Sequence, residues 1–411
     1  MISSTLEGGL TVVTERMAGV RSVALGFWVG AGSVDEGAAV AGASHFLEHL
    51  LFKGTADRSA RQIAEAVDAV GGDMNAFTTK EYTAFHIRVL APSTGLAADI
   101  ISDIVWAPAL RPDEVDAERR VILEELSMQG DEPADLVHDA FARAMWPDHP
   151  LGREVLGDSG TIEAMTGAEI AAFHGEHYRP GNVVAAAAGD VDHDDIVATL
   201  SARLGERRGG RPPARAAVGA GCRPVVVVSR DTEQAHLVVG ARAPVRSSDD
   251  RFAMSVLDHV LGGGMSSRLF QSVREARGLA YSVYSYHTAY EHSGSLAAYA
   301  GTAPSQVGQV LALVGEEMDR MADKGPTPGE VDAARSHLRG ATALGLEDSG
   351  ARMARIGTAQ LVHGSVMTVE EVEERLDSLT VAEIRDLAGD VLGGSRSLAV
   401  VGPFGEEDFA P

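Results

Sequence analysis

Two kinds of hydrophobic pattern run through this chain. Leu10–Thr14 and Val23–Val29 are rich in β-branched and aromatic residues and predict strands, the second ended by Gly30–Ser33. Residues 41–55 (AGASHFLEHLLFKGT) form an apolar run that predicts a helix, and Ser59–Val70 is amphipathic and stops at Gly71-Gly72, a C-cap signal. Asp73–Thr78 and Thr83–Leu90 predict a strand pair. Helices are expected over Leu96–Val105, Pro112–Met128, Leu136–Met145, Ala168–His177 and about Asp194–Leu204, with a buried strand at Asn182–Ala188.

Gly205–Pro224 breaks the composition: glycine, proline, arginine and alanine without periodicity, the mark of a linker. After it the order of elements restarts. Val225–Ser229 and His236–Arg242 predict strands, and TEQAHLVVGARAPVRSSDD (232–250) matches AGVRSVALGFWVGAGSVDE (18–36), with Gly240 in the place of Gly26 and Asp249 in that of Asp35. Ser397–Gly402 repeats the strand before Asp190. The pattern predicts a duplication in an α+β fold, two tandem homologous domains that are each a mainly antiparallel sheet packed with helices. Their expected limits are 1–208 and 224–411, joined by a linker at 209–223.

Within the first apolar run, His45, Glu48 and His49 spell H-x-x-E-H, the reverse of H-E-x-x-H. On a helix the two imidazoles lie about 40° apart, one turn from each other, and can share a metal ion. The bland alternative is a buried helix with two satisfied histidines. A hydrolytic zinc site needs three protein ligands and an open position, so a third ligand must come from elsewhere. The second copy offers only His259-Val-Leu-Gly-Gly, which places the metal in the first half. In Pro112–Met128, Glu118 and Glu125 share a helix face within about 20°, whereas Glu124 points about 100° away from Glu125. Two stacked carboxylates suit one ligand and one group that orients a ligating histidine. Spacing leaves Glu124 a rival to Glu125 for the ligand, with the face shared with Glu118 favouring Glu125.

The charge balance narrows the partners. Asp and Glu number 59 against 35 Lys and Arg, a formal charge of −24, which argues against nucleic acid because phosphate binding needs a basic surface. Cys222 is the only cysteine, so neither an intrachain disulfide nor a cysteine-ligated zinc is available. No apolar run is long enough to span a bilayer, and MISSTLEGGL has neither a basic n-region nor an apolar h-region. The expectation is a cytoplasmic protein without a membrane partner. His174 and His177 form an H-x-x-H at a helix end, for which a second metal is not expected, and His86 is expected to be structural.

HFLEH followed by ERRVILEE (118–125) resembles the pitrilysin or insulinase superfamily of metallopeptidases (inverzincins). The nearest likeness is to the short-chain branch that includes the β subunit of the mitochondrial processing peptidase and bacterial homologues. GGDMNAFTTKEYTAF (71–85), HPLGREVLG (149–157), HYRPGN (177–182) and GGGMSSRLFQSVREARGLAYSV (262–283) extend the resemblance over essentially the whole chain. It implies a zinc-dependent endopeptidase acting on unfolded peptides or short polypeptides in an enclosed chamber. One zinc per chain would be held by His45, His49 and Glu125, with Glu48 as general base and Glu118 behind a ligand. Asn75, Ala76 and Phe77 would lie on an edge strand to which the peptide adds, and Arg274 and Tyr281 would reach the substrate backbone. The resemblance also implies a homodimer, or a heterodimer with a second subunit, and keeps open a catalytically silent relative that serves as scaffold or partner. The glycine loop Gly262–Gly264 is either a peptide-guiding element or a plain tight turn.

Overall fold

The structure, a computed structural model, describes residues 1–210 and 213–409; positions 211 and 212 of the expected linker lie outside the described residues. It divides into two compact units that are discontinuous in the chain. The first comprises residues 1–126, 154–215 and 343–367, and the second 127–153, 216–342 and 368–411. Each is helices packed on a mixed, mainly antiparallel sheet, the α+β architecture expected from the pattern.

The first unit has six strands: β1 (Ile2–Thr5), β2 (Thr11–Arg16), β3 (Ser22–Val29), β4 (Asp73–Thr78), β5 (Thr83–Leu90) and β6 (Val183–Gly189). Their order is β1-β2-β6-β3-β5-β4, parallel only between β2 and β6. Strand β3 is apolar throughout because both faces are covered. Val23, Leu25, Phe27 and Val29 enter one core, while Ala24 and Trp28 enter another on the opposite face, the period-2 consequence of the pleat. The first core is closed by α1 (Ala43–Leu51), α2 (Ala60–Asp68), α3 (Thr94–Trp106) and the buried side of α4 (Pro112–Gly130).

The second core is closed by the helix Ser349–His363, which comes from the far half of the chain and lies across β2, β3 and β6. Met353 and Ile356 pack there with Trp28, and Gly357 lets the helix axis approach the indole. A Cβ added at Gly357 would stand 2.5 Å from the Trp28 ring. Gly357→Ala is therefore expected to lower stability by about 1–3 kcal/mol through overpacking. Thermal unfolding reads this as a lower midpoint, and an unchanged midpoint would refute the close packing.

The second unit holds β7 (Val225–Ser229), β8 (Ala235–Arg242), β9 (Ala280–Ala289), β10 (Gly294–Thr302) and β11 (Ser397–Gly402) in the order β7-β11-β8-β10-β9, with only β7 and β11 parallel. Its reciprocal helix is α5 (Pro133–Met145), which comes from the first half and covers β7, β8 and β11. This docking is partly polar: His138 makes hydrogen bonds with the hydroxyls of Tyr286 (2.8 Å) and Tyr284 (3.2 Å). Contiguous halves do not anticipate this exchange of helices. Nor is the described part of the linker free chain, since the half-buried Arg215 belongs to the first unit and donates to both carboxylate oxygens of Asp35 at 2.9 Å and to the Glu81 carbonyl at 2.6 Å.

Candidate metal centre

Helix α1 is short and two-sided. Phe46, Leu47, Leu50 and Leu51 are in the core, and this apolar stripe forces His45, Glu48 and His49 onto the other side. Its start is held unusually firmly. Gly42, at φ 94°, makes the turn into the helix, and the buried Glu36 carboxylate accepts the Gly42 and Ser44 N–H groups, each at 2.7 Å. A carboxylate at a helix N-terminus satisfies orphan donors and complements the macrodipole. Orientation of the two histidines thus begins at a residue to which the sequence pattern drew no attention.

Helix α4 faces α1 with Val115, Glu118 and Ile122 buried. Glu125, one further turn along, brings Oε2 to 3.7 Å from His45 Nε2 and 3.5 Å from His49 Nε2. The three ligand atoms all lie within 4.8 Å of one another, and this is the one such cluster among the described residues. Metal–ligand bonds of about 2.0–2.2 Å in a tetrahedron place ligand atoms about 3.3–3.5 Å apart, so these side chains fit a zinc ion closely. Burial, with His49 alongside, pushes the His45 imidazole down to about 4, so it presents a lone pair at neutral pH. His49 Nδ1 sits 3.1 Å from Glu118 Oε2, which fixes the tautomer with its proton on Nδ1 and frees Nε2. Glu118 in turn takes Lys53 Nζ at 2.7 Å on its other oxygen. Glu124 is exposed and lies outside the cluster, so helix docking separates two carboxylates that spacing had left as rivals.

Glu48 is half-buried beside the cluster. Burial raises its carboxyl above the usual carboxylate range, and hydrogen bonds from the hydroxyl and backbone of Thr78 pull it part of the way back. Lys53, Thr78 and Glu36 are the members of this centre that sequence reasoning missed. Lys53 stands one turn after His49, which is a signal of proximity. Thr78 lies at the end of the expected strand, with no local sign of its partner.

The other expected residues are placed as follows. Asn75, Ala76 and Phe77 lie on β4, which is the edge of its sheet; Asn75 and Phe77 are exposed and Ala76 is buried. Arg274 and Tyr281 belong to the second unit, where the Arg274 guanidinium lies 5.1 Å from the Tyr281 ring centre and 4.8 Å from that of Phe270. Tyr281 is 81 % exposed on β9, an edge strand, so it is not a core aromatic. His174 Nε2 donates to the Val105 carbonyl at 2.9 Å, and its ring stacks on Tyr178. The Gly262–Gly264 loop ends the helix Arg251–Gly262.

Residues 11–159 match the model of the insulinase family, peptidase family M16, and residues 164–338 match that of the peptidase M16 inactive domain. The chain belongs to this family. Among its relatives is an "uncharacterized zinc protease" of Streptomyces coelicolor, 47% identical over 98% of this chain and 89% of that one. A protein of the same description in Bacillus subtilis is 35% identical over 98% of both chains. Two solved structures share the fold. A peptidase M16 inactive domain from Pseudomonas fluorescens superposes with a TM-score of 0.92 at 23% identity, covering 98% of each chain. A protease from Helicobacter pylori superposes at 0.90 and 20% identity, covering 98% of this chain and 99% of that one. The insulinase-family match contains the H-x-x-E-H motif, and the inactive-domain match does not. Among the described residues no helix is long and apolar enough to cross a membrane.

Proposed function

We propose that this M16 protein is a zinc-dependent endopeptidase that cleaves unfolded peptides bound as an added strand along β4. The observation that carries the reading is the convergence of His45, His49 and Glu125 from two helices, with the half-buried Glu48 carboxylate on the histidines' side of α1. A zinc ion held there supplies Lewis acidity, which acidifies water toward a pKa of about 7 and polarises the scissile carbonyl. The protein's own groups do the rest. Glu118 keeps the His49 lone pair directed inward through the Nδ1 proton. Glu48 takes a proton from the attacking water and delivers it to the leaving amine nitrogen as the C–N bond breaks, a transfer typically worth about 10²–10⁴ in rate. The outer edge of β4 offers backbone donors and acceptors that bind a peptide main chain with little demand on its sequence. Arg274 and Tyr281 keep the substrate-contacting role that the resemblance implies.

Metal analysis together with cleavage of an internally quenched, unstructured peptide tests the reading. One zinc per chain is expected, with turnover abolished by a chelator and restored by added zinc. Protein that cleaves equally well with the chelator present would overturn it. Zinc-loaded protein that cleaves no member of a peptide library would instead support the silent scaffold or partner.

A further inference from the structure

We infer that Thr78 is a positioning residue that holds the Glu48 carboxylate in place through its hydroxyl. The inference rests on the peptidase reading of Glu48 and goes beyond it by assigning the anchor.

Alternation along β4 sends Met74, Ala76 and Thr78 to one face of the sheet and Asn75 and Phe77 to the other. Thr78 consequently faces α1, and its Oγ1 donates to Glu48 Oε2 at 2.6 Å. The direction of that bond is settled by its neighbours. Thr83, the register partner of Thr78 on β5, is completely buried and gives its own proton to the Ala31 carbonyl at 3.0 Å. Its oxygen lies 3.4 Å from Thr78 Oγ1 and so offers Thr78 at most a long, weak acceptor. The single Thr78 proton is thus committed to Glu48.

Thr is stiff at χ1, so its hydroxyl holds a fixed direction and limits the rotamers of the longer glutamate. The same strand carries the proposed peptide rail at Asn75–Phe77, one to three residues from this anchor. Peptide docking and base orientation are thereby built on one rigid element.

The test compares T78V, which keeps size and branching but has no hydroxyl, with T78S, which keeps the hydroxyl, and uses E48Q as reference. For T78V, kcat on the quenched peptide is expected to fall about tenfold to a hundredfold, the scale of a misplaced catalytic group. KM and zinc content should remain those of the parent. A crystal structure of T78V should show the Glu48 carboxylate moved from its parent position, and T78S should restore both kcat and that position. Parent-like kcat in T78V, or equal losses in T78V and T78S, would overturn the inference, as would a fall in zinc content or a change confined to KM. If E48Q itself turns over normally, the peptidase reading fails. If E48Q is inactive while T78V matches the parent, only the role of Thr78 fails.

Discussion

Replacing Glu48 by Gln is expected to reduce kcat about a hundredfold to ten-thousandfold while leaving one zinc per chain in place. The substitution conserves volume and still accepts the Thr78 hydrogen bond, but it cannot take up a proton. Glu48 is outside the ligand cluster of His45, His49 and Glu125, so metal content should not respond. Burial already disfavours its charged form, so the neutral amide should cost little folding stability. Steady-state kinetics and metal analysis on the same preparation check all three points. A variant with zinc and undiminished turnover would remove Glu48 from the chemistry.

Glu125→Gln should lose the metal, and Glu124→Gln should not. Among the described residues only Glu125 stands 3.5–3.7 Å from both imidazole Nε2 atoms. Removing its charge deletes one of three ligands, and affinity should fall by more than the roughly 10–100-fold that loss of an outer-shell partner causes. Zinc binding also stabilises the folded state, by about 2.7 kcal/mol at a free concentration a hundred times Kd. Addition of zinc should therefore raise the melting temperature of the parent and of Glu124→Gln but leave Glu125→Gln unchanged. Retained zinc in Glu125→Gln, with loss in Glu124→Gln, would reverse the assignment.

Much of this centre was legible beforehand because its parts are local. The H-x-x-E-H spacing needs only 3.6 residues per turn to bring His45 and His49 together, and the flanking leucines and Phe46 imply which side of α1 is buried. Strands β4 and β5 appear where the alternation places them. The second half could be excluded as the metal site from the absent ligand types alone. The choice between Glu124 and Glu125 was different in kind. Both occupy one helix about 100° apart, and a helix pattern carries no information on which neighbour it meets. Thr78 and Glu36 were invisible for the same reason, since each acts through a partner on another element, while Lys53, one turn after His49, gave a signal of proximity but none of its partner Glu118. Arg215 looked like part of a featureless linker, yet it is paired with Asp35.

What the sequence determined by itself was most helices and strands of the first half, the internal duplication, and the residue types competent to bind zinc, because periodicity and side-chain chemistry are properties of a single segment. Tertiary structure alone decided that helix Ser349–His363 covers the first sheet, that α5 covers the second, and that Glu125 closes on the two histidines. An apolar stripe specifies that a helix must be buried; only complementary packing, such as Gly357 against Trp28, specifies against what.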